Sequence, residues 1–593
     1  MIFLFLIGLA IGTSCCLWGY IGLRISGVDF IRNRHDESVA DDATDVVFSC
    51  VWLGVAVLGA MLTTSALFGA VSIYTAIICL VLPCIILLIR PFRKELWNLL
   101  DGAWRQLYIG PTAFIVPIVM LALVSFLGSQ PIIYFDTAYY HLPLAQIFET
   151  FGALKGLVAL HPNFGQTSTW FAIAAPGTVG GELGWGVPTA NTALAGIAAL
   201  HASVGFLKCT KGEFRSGSLV VAIAFPLVLA LASRWGMVAS ISPDLPIMLI
   251  VVALAWTMTL REIPMRISTS LVLIACAIGI KLSAAPLGLV GATALLVYTK
   301  HAVRPATVSF VLGCAIVVPA IAIGVLASGC AAYPVNASCI STPWTPSAEA
   351  LAYQTQLILS SARAGGNWLA TAHSTSEIIQ IWILRDRSGA FVVISAFLAA
   401  GLGIVHYFLK GRFSNAPRHE NLIWPLYIAV IGTIYVAVTA PTGRFMGGYA
   451  AVAVAIVVCC FFPSLVRAIS PTVRYTLLAV CVIGVVSLLY SAPGQNLRDM
   501  IRDRVAAGTY PDTGSGFLVP HRVIPINLHR PESVPLTKWR RPSQRLPDVA
   551  GPEANTECWA APPPCVPQFS GGEAAYLQPQ NGAAGGFKFS DRR

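Results

Sequence analysis

Charged side chains are scarce in this chain. Only 11% of its 593 residues are Asp, Glu, Lys or Arg, against about a quarter in a soluble globular domain. Hydrophobic residues make up 56%, and the mean hydropathy is +0.73. The shortage of charge excludes a soluble enzyme, and the surplus of apolar residues excludes a disordered chain. Also missing are a Gly-rich phosphate loop ending in Lys-Ser or Lys-Thr and paired Cys-x-x-Cys metal ligands. Without such a loop, and with no room in the short basic loops for a nucleotide-binding domain, an ATP-driven pump is disfavoured. No basic region precedes the first apolar run and no small-residue cleavage site follows it, so that run reads as a retained span rather than a signal peptide. The net charge of +11 does not imply nucleic acid, because the basic residues sit in short clusters between long apolar runs.

What is present is the pattern of an all-α polytopic membrane protein, each span needing about 20 apolar residues. Fourteen apolar segments are predicted: 2–23, 47–68, 70–89, 108–128, 189–207, 217–233, 245–260, 267–281, 284–299, 306–327, 389–409, 422–440, 446–466 and 474–491. The pair 267–281 and 284–299 is short and tightly joined; as one segment it would reverse the side of every later loop. Alternate loops hold nineteen Lys and Arg in one set and seven in the other, although the second set is longer. The positive-inside rule makes the first set cytoplasmic and places both termini outside. Three external segments are then long: 129–188, 328–388 and the Pro- and Gly-rich tail 492–593, which reads as loop-dominated.

Most of the fifteen cysteines lie inside apolar segments, where they act as small apolar residues. Two pairs do not: Cys330 and Cys339 in the second external segment, and Cys558 and Cys565 in the tail. Disulfides persist in oxidising compartments, so two bridges there would agree with the topology. Four free thiols are the alternative.

The first external segment opens Pro131-Ile-Ile-Tyr-Phe-Asp136-Thr-Ala-Tyr-Tyr140-His141-Leu-Pro, followed by an amphipathic stretch suited to an interfacial helix. Asp136 is a lone carboxylate at the mouth of a span, beside Tyr140 and His141. It is either a general base for a hydroxyl or an ordinary helix N-cap. Asp244, in Ser242-Pro-Asp-Leu-Pro, carries the same two alternatives of site acid or cap. Lys281 lies at the outer end of a short apolar pair, where a cation marks an anionic partner or snorkels to the interface. Arg444, in Pro441-Thr-Gly-Arg-Phe, suits bidentate phosphate binding or lipid headgroup contact. Two carboxylates and two cations on one face of a helical bundle suit a lipid-phosphate substrate and an acceptor hydroxyl.

These residues resemble the GT-C glycosyltransferases, multi-span enzymes that take sugars from polyprenyl-phosphate carriers. Phe135-Asp136-Thr-Ala-Tyr-Tyr-His141 is similar to the Asp-x-x-x-Tyr-His segment of bacterial members resembling protein mannosyltransferases. Lys281-Leu-Ser-Ala-Ala-Pro286 is similar to their Lys-x-x-x-x-Pro segment. Ser328-Gly-Cys330-Ala-Ala-Tyr-Pro334 with Pro343-Trp344, and Cys558-Trp to Pro564-Cys565, resemble an uncharacterised bacterial branch. The resemblance covers roughly residues 109–490 and the tail cysteines. It implies a three-span N-terminal extension (1–107), a catalytic core (108–491) and an external tail (492–593). It further implies Asp136 as base, Asp244 as second site acid, Tyr140 and His141 at the substrate, and Lys281 and Arg444 on the carrier phosphate. The chain departs from the family in lacking paired acids at the first site and a large folded outer domain.

The expectation is inverting transfer of a sugar from a polyprenyl-phosphate donor to a glycan, lipid or protein acceptor. It would occur at the outer face of a bacterial inner membrane, among membrane lipids and without nucleic acid. No cofactor is firmly implied, and a divalent cation is left open. The alternatives are a lipid-linked glycan flippase, which would need a charged cavity through the membrane and two pseudo-symmetric halves, and an O-antigen polymerase or ligase. The latter would use Arg363, His373, Arg385 and Arg387 of the second external segment.

Overall fold

The computed structural model describes residues 1–28, 43–178 (except 109, 131, 133 and 135), 186–364, 376–377, 380, 382–383, 387–413 and 422–467. In the tail it describes only strand pieces at 537–538, 550–551, 577–579 and 587–589. The segment 474–491 and the pair Cys558 and Cys565 lie outside the described residues.

The helices are α1 (Ile2–Ile25), α2 (Ala43–Phe68), α3 (Ile73–Val81), α4 (Arg90–Leu107), α5 (Thr112–Gly128), α6 (Leu142–Phe151), α7 (Leu157–Leu160), α8 (Thr169–Ala174) and α9 (Thr189–Thr210). They continue as α10 (Ser216–Arg234), α11 (Asp244–Thr257), α12 (Ile263–Ile280), α13 (Leu287–Tyr298), α14 (Val303–Ser328), α15 (Ala348–Ala364), α16 (Arg387–Phe413), α17 (Ile423–Thr439) and α18 (Gly443–Arg467). The protein is an all-helical bundle apart from the tail strands.

Thirteen of the fourteen predicted apolar segments fall on helices, but fewer are full spans. Among the described residues eight helices are long and apolar enough to cross a membrane: α1, α2, α9, α10, α12, α14, α16 and α18. A ninth arises only if the bent pair at 73–107 counts as one. The apolar helices α5, α11 and α17 have 17, 14 and 17 residues, short of the usual requirement. The predicted segment 70–89 is also corrected. It is a nine-residue α-helix running into a 3-10 stretch, Leu82–Leu88, with Pro83 at its start. A 102° bend then leads into α4, which the sequence reading left as a basic loop.

The uncertain pair 267–281 and 284–299 is a hairpin. Gly288 faces Ile278, Gly291 faces Ile274, and Arg266 donates to the Tyr298 hydroxyl at 2.9 Å. These contacts pair rising with falling residue numbers, so α13 returns along α12 and Lys281 sits at the tip. α1 and α2 form a second antiparallel pair. A Cβ on Gly19 or Gly54 would overlap the partner backbone at Cys50 or Cys15, the close approach that small residues permit between membrane helices. One continuous apolar core runs from Cys15 to Cys459, joining these N-terminal helices to the rest.

The ends of α5, α10, α12, α14 and α17 and the starts of α9, α11, α16 and α18 meet at one end of the bundle. The segment 129–188, carrying α6, α7 and α8, folds over that end. Cys330 and Cys339 are bonded to each other there. Next to that bridge, Gln354 of α15 donates to Asn163 at 3.2 Å and Tyr333 packs on Gly165.

Candidate functional site

Asp136, Asp244, Lys281 and Arg444, spread over more than 300 residues of sequence, meet at this end of the bundle. Lys281 donates to Asp244 Oδ1. Arg444 Nη1 donates to Asp136 Oδ2 at 2.8 Å, and its Nε lies 4.0 Å from Asp244 Oδ2. The Lys281 ammonium and the Arg444 guanidinium both lie against the Phe445 ring, 4.0 Å and 5.0 Å from its centroid. The two cations predicted to converge do so.

Each side chain is placed by a local cause. Asp244 is the first residue of α11, where a carboxylate is favoured by the positive helix end. The turn before it is held by Asn191 of α9, whose amide donates to the carbonyls of Met237 (2.8 Å) and Ser242 (3.1 Å). Trp170 in turn donates to Asn191 Oδ1 at 2.6 Å. Lys281 ends α12, and the backbone after it is fixed by hydroxyls: Tyr435 donates to the Leu282 carbonyl (3.3 Å) and Tyr449 to that of Ser283 (3.2 Å). Arg444 is the second residue of α18, the wrong end of the helix dipole for a cation. Only nearby carboxylates make that position tolerable.

The spacing of the two acid- and base-bearing helices depends on one glycine. Gly448 and Met248 lie one turn beyond Arg444 and Asp244. A Cβ at Gly448 would come within 2.8 Å of the Met248 backbone. Glycine therefore lets α11 and α18 approach closely enough for the network to form.

Neither carboxylate serves as the helix cap that the sequence left as an alternative. Asp136 occupies the N-cap position of a single π-helical turn, Thr137–His141, but its side chain makes no capping hydrogen bond. Pro243, not Asp244, occupies the cap position of α11. The two acids differ in access: the Asp136 side chain is 22% exposed and that of Asp244 2%.

The sequence reading missed Tyr134, which links the two halves of the cluster. Its hydroxyl donates to Asp244 Oδ2 at 2.7 Å and accepts from Arg444 at 2.7 Å. Burial, reinforced by the Asp244 charge, pushes this phenol well above its ordinary range, so it remains a donor. The available signal was its position two residues before Asp136, and the chain turns there, with the Thr137 N–H donating to the Tyr134 carbonyl at 2.9 Å. Phe445 and Asn191 were also missed; a buried amide in an otherwise apolar helix was the clue to the latter.

Tyr140 and His141 form a wall rather than an open contact surface. His141 packs against Tyr140 (4.3 Å between centroids), Phe171 (5.2 Å) and Tyr134 (6.0 Å). It is buried, and among the described residues its Nδ1 meets no hydrogen-bond partner. Burial lowers its pKa to about 4 against the opposing pull of Asp136 and Asp244, so the ring is neutral near pH 7. Behind it, His161 is likewise lowered to about 4 by burial. Its Nδ1 accepts from the Asn163 backbone N–H at 3.2 Å, so the neutral ring carries its proton on Nε2, facing the Tyr139 hydroxyl at 3.2 Å.

Among the described residues, no group of three or more His, Cys, Asp or Glu side chains is placed to hold a metal ion. Both site carboxylates are already matched by cations. The donor set thus does not suit the divalent ion left open by the sequence.

No curated protein and no solved structure matches the chain. Residues 1–451, which include every member of the cluster, match a family described as a domain of unknown function, DUF8201, and the chain belongs to that family.

Proposed function

We propose that the protein is a membrane glycosyltransferase of GT-C type, transferring a sugar from a polyprenyl-phosphate carrier to an acceptor hydroxyl. The observation that carries this reading is the Asp136–Arg444–Tyr134–Asp244–Lys281 network: an accessible carboxylate and two cations held together where helices meet the membrane boundary. Cations there are costly without anions, and two of them suit the phosphate of a lipid carrier. Asp136, the more exposed acid, takes the proton from the acceptor hydroxyl. The acceptor oxygen bonds to the anomeric carbon with inversion as the bond from that carbon to the phosphate oxygen breaks. The electron pair stays on the phosphate, whose charge Lys281 and Arg444 offset. Buried Asp244 positions Lys281 and Tyr134. Donor phosphate competes with Asp136 for Arg444, so donor binding also frees the base.

The site end is proposed to face the outside of a bacterial inner membrane, with both chain termini on that side. The Cys330–Cys339 bridge at the same end supports this orientation. Over transport, the reading is favoured by the position of the other membrane-boundary ion pairs. Arg24–Glu95 and Lys208–Asp45 lie at the far end of the bundle, so among the described residues the ion pairs keep to the two ends. As for a polymerase or ligase, Arg363 is engaged with the Val438 carbonyl at 3.2 Å, while His373 and Arg385 lie outside the described residues.

The test is purified protein in nanodiscs with a panel of polyprenyl-phosphate sugars and simple glycan acceptors. Release of free polyprenyl phosphate with at least one donor is expected. Carrier movement across a bilayer without release would instead establish a flippase.

A further inference from the structure

Helix α4 has three distinct faces, and one of them is buried in the bundle. Leu96, Leu99 and Ala103 are buried. Glu95, beside them, binds Arg24 and accepts from the Tyr20 hydroxyl at 2.8 Å, which fixes the helix to α1. Gln106 accepts from the Thr44 backbone N–H at 3.3 Å, fixing its other end to α2. The orientation of α4 is therefore set by the protein.

The second face is an exposed apolar stripe, Trp97, Leu100 and Trp104, at i, i+3 and i+7. It leads to Tyr108 and to Phe114 of α5, whose ring lies 4.4 Å from that of Trp104. Trp97 is 72% exposed and begins a run of exposed apolar side chains along one side of the helix. The third face carries Arg90, Lys94 and Arg105, with Arg93 heading the apolar stripe. The acids nearby are already occupied: Asp101 pairs with Arg105 at 2.9 Å and Glu95 with Arg24. Among the described residues Arg90, Arg93 and Lys94 have no carboxylate partner.

The chain reaches α4 through the apolar stretch 73–88 and then turns by 102°. A helix following an apolar segment at nearly a right angle runs along the bilayer surface. Aromatic residues beside a cationic stripe are what that boundary selects. α4 lies at the start of α2, whereas the charged cluster lies beyond its C-terminal end, where Ala66 accepts from the Ala153 backbone. The two features occupy opposite ends of the bundle.

We propose that α4 is a docking surface for the bilayer's anionic phospholipids. In it, Arg90, Arg93 and Lys94 bind headgroup phosphates while Trp97, Leu100 and Trp104 sit beneath them at the acyl boundary. The basic cluster thus recognises lipid as well as setting topology.

The test uses the full-length protein, purified with native lipid and then exchanged against equimolar phosphatidylglycerol and phosphatidylcholine. Native mass spectrometry reads the bound ratio. The triple variant R90Q/R93Q/K94Q should lose at least about threefold of the phosphatidylglycerol excess, and R90K/R93K should retain it. Neutralising Lys410, Arg412 and Arg418, an equal charge in another basic cluster of the sequence, should change the ratio little. An unchanged ratio in the triple variant, or an equal loss in the loop variant, overturns the proposal. Should the triple variant not fold, a photo-crosslinking residue at position 97 decides the matter. Capture of phospholipid supports the docking surface, and absence of lipid adducts overturns it.

Discussion

Ion pairs occur at both ends of the bundle, but they are built differently. Among the described residues, two pairs at the basic end tie neighbouring helices, Arg24 with Glu95 joining α1 to α4 and Lys208 with Asp45 joining α9 to α2, and a third, Asp101 with Arg105, lies within α4. At the other end, residues from four separate stretches form one connected network through the Tyr134 hydroxyl, with one carboxylate buried and the other accessible. The Arg24–Glu95 pair also takes a tyrosine hydroxyl, that of Tyr20, so a third member does not by itself mark the site; what marks it is that its members come from four separate stretches. On the proposed function, the difference separates charge that fastens helices from charge that serves a phosphate-bearing donor.

The strongest way to break this comparison is to remove one partner of the buried pair. Lys281→Ala leaves Asp244 buried without its closest cation, which should cost about 3 kcal/mol or more of stability and abolish donor use. Lys208→Ala, at the basic end, should destabilise without changing the donor preference of the protein that folds. Chemical-denaturation midpoints with parallel donor-binding assays check both. Equal effects on donor binding would erase the distinction between the two ends. Asp244→Asn is expected to be harsher on stability than the same change at Asp136, because Asp244 is the buried acid and holds both Lys281 and Tyr134.

Next in size is Gly448→Ala. The added methyl must separate α11 from α18 at Met248, an overpacking cost of about 1–3 kcal/mol, and it should pull Arg444 away from Asp244. Donor affinity should fall more than it does for Gly401→Ala, where a Cβ meets nothing within 4 Å. Tyr134→Phe removes hydrogen bonds to two charged groups, worth about 1.5–3 kcal/mol, and should lower turnover by roughly tenfold or more. If Tyr134→Phe matched the wild-type rate, the network would reduce to two separate ion pairs of the kind seen at the basic end.

The smaller effects concern the cover over the site. His141 and His161 have folded pKa values near 4, below the ordinary value of about 6.5. The unfolded chain therefore binds more protons between those limits. The stability these rings contribute is complete above about pH 6.5 and is lost as pH falls towards 4. Melting curves across this window should show the fall, and His161→Gln should flatten part of it. Replacing Cys330 and Cys339 by Ala should cost about 2–3 kcal/mol by the loop-entropy relation for a short loop, with turnover nearly preserved.

Much of the fold was legible because apolar runs and their polar breaks follow directly from burial in lipid. Segment lengths were less so. The run 70–89 contains no charge before Arg90, and nothing in its hydropathy announces the 3-10 stretch after Pro83 or the bend that follows. The sequence of α4 reads as a basic loop because its charges interrupt the apolar run, and only the helical register gathers them on one side. At the site, Asp136, Asp244, Lys281 and Arg444 stood out as charges among apolar residues. Tyr134 did not, since an uncharged aromatic near an interface is ordinary there. Its role exists only once helices distant in sequence bring Asp244 and Arg444 to it.

The most direct test of the central claim is the turnover of Asp136→Asn in nanodiscs, measured as polyprenyl phosphate released from whichever donor the wild-type protein uses. Asn keeps the size of the side chain and removes its capacity to accept a proton, and no capping bond is lost with it. The account predicts a folded protein that still binds donor, with turnover lowered by roughly a hundredfold or more. A folded Asp136→Asn protein releasing polyprenyl phosphate at close to the wild-type rate would contradict it.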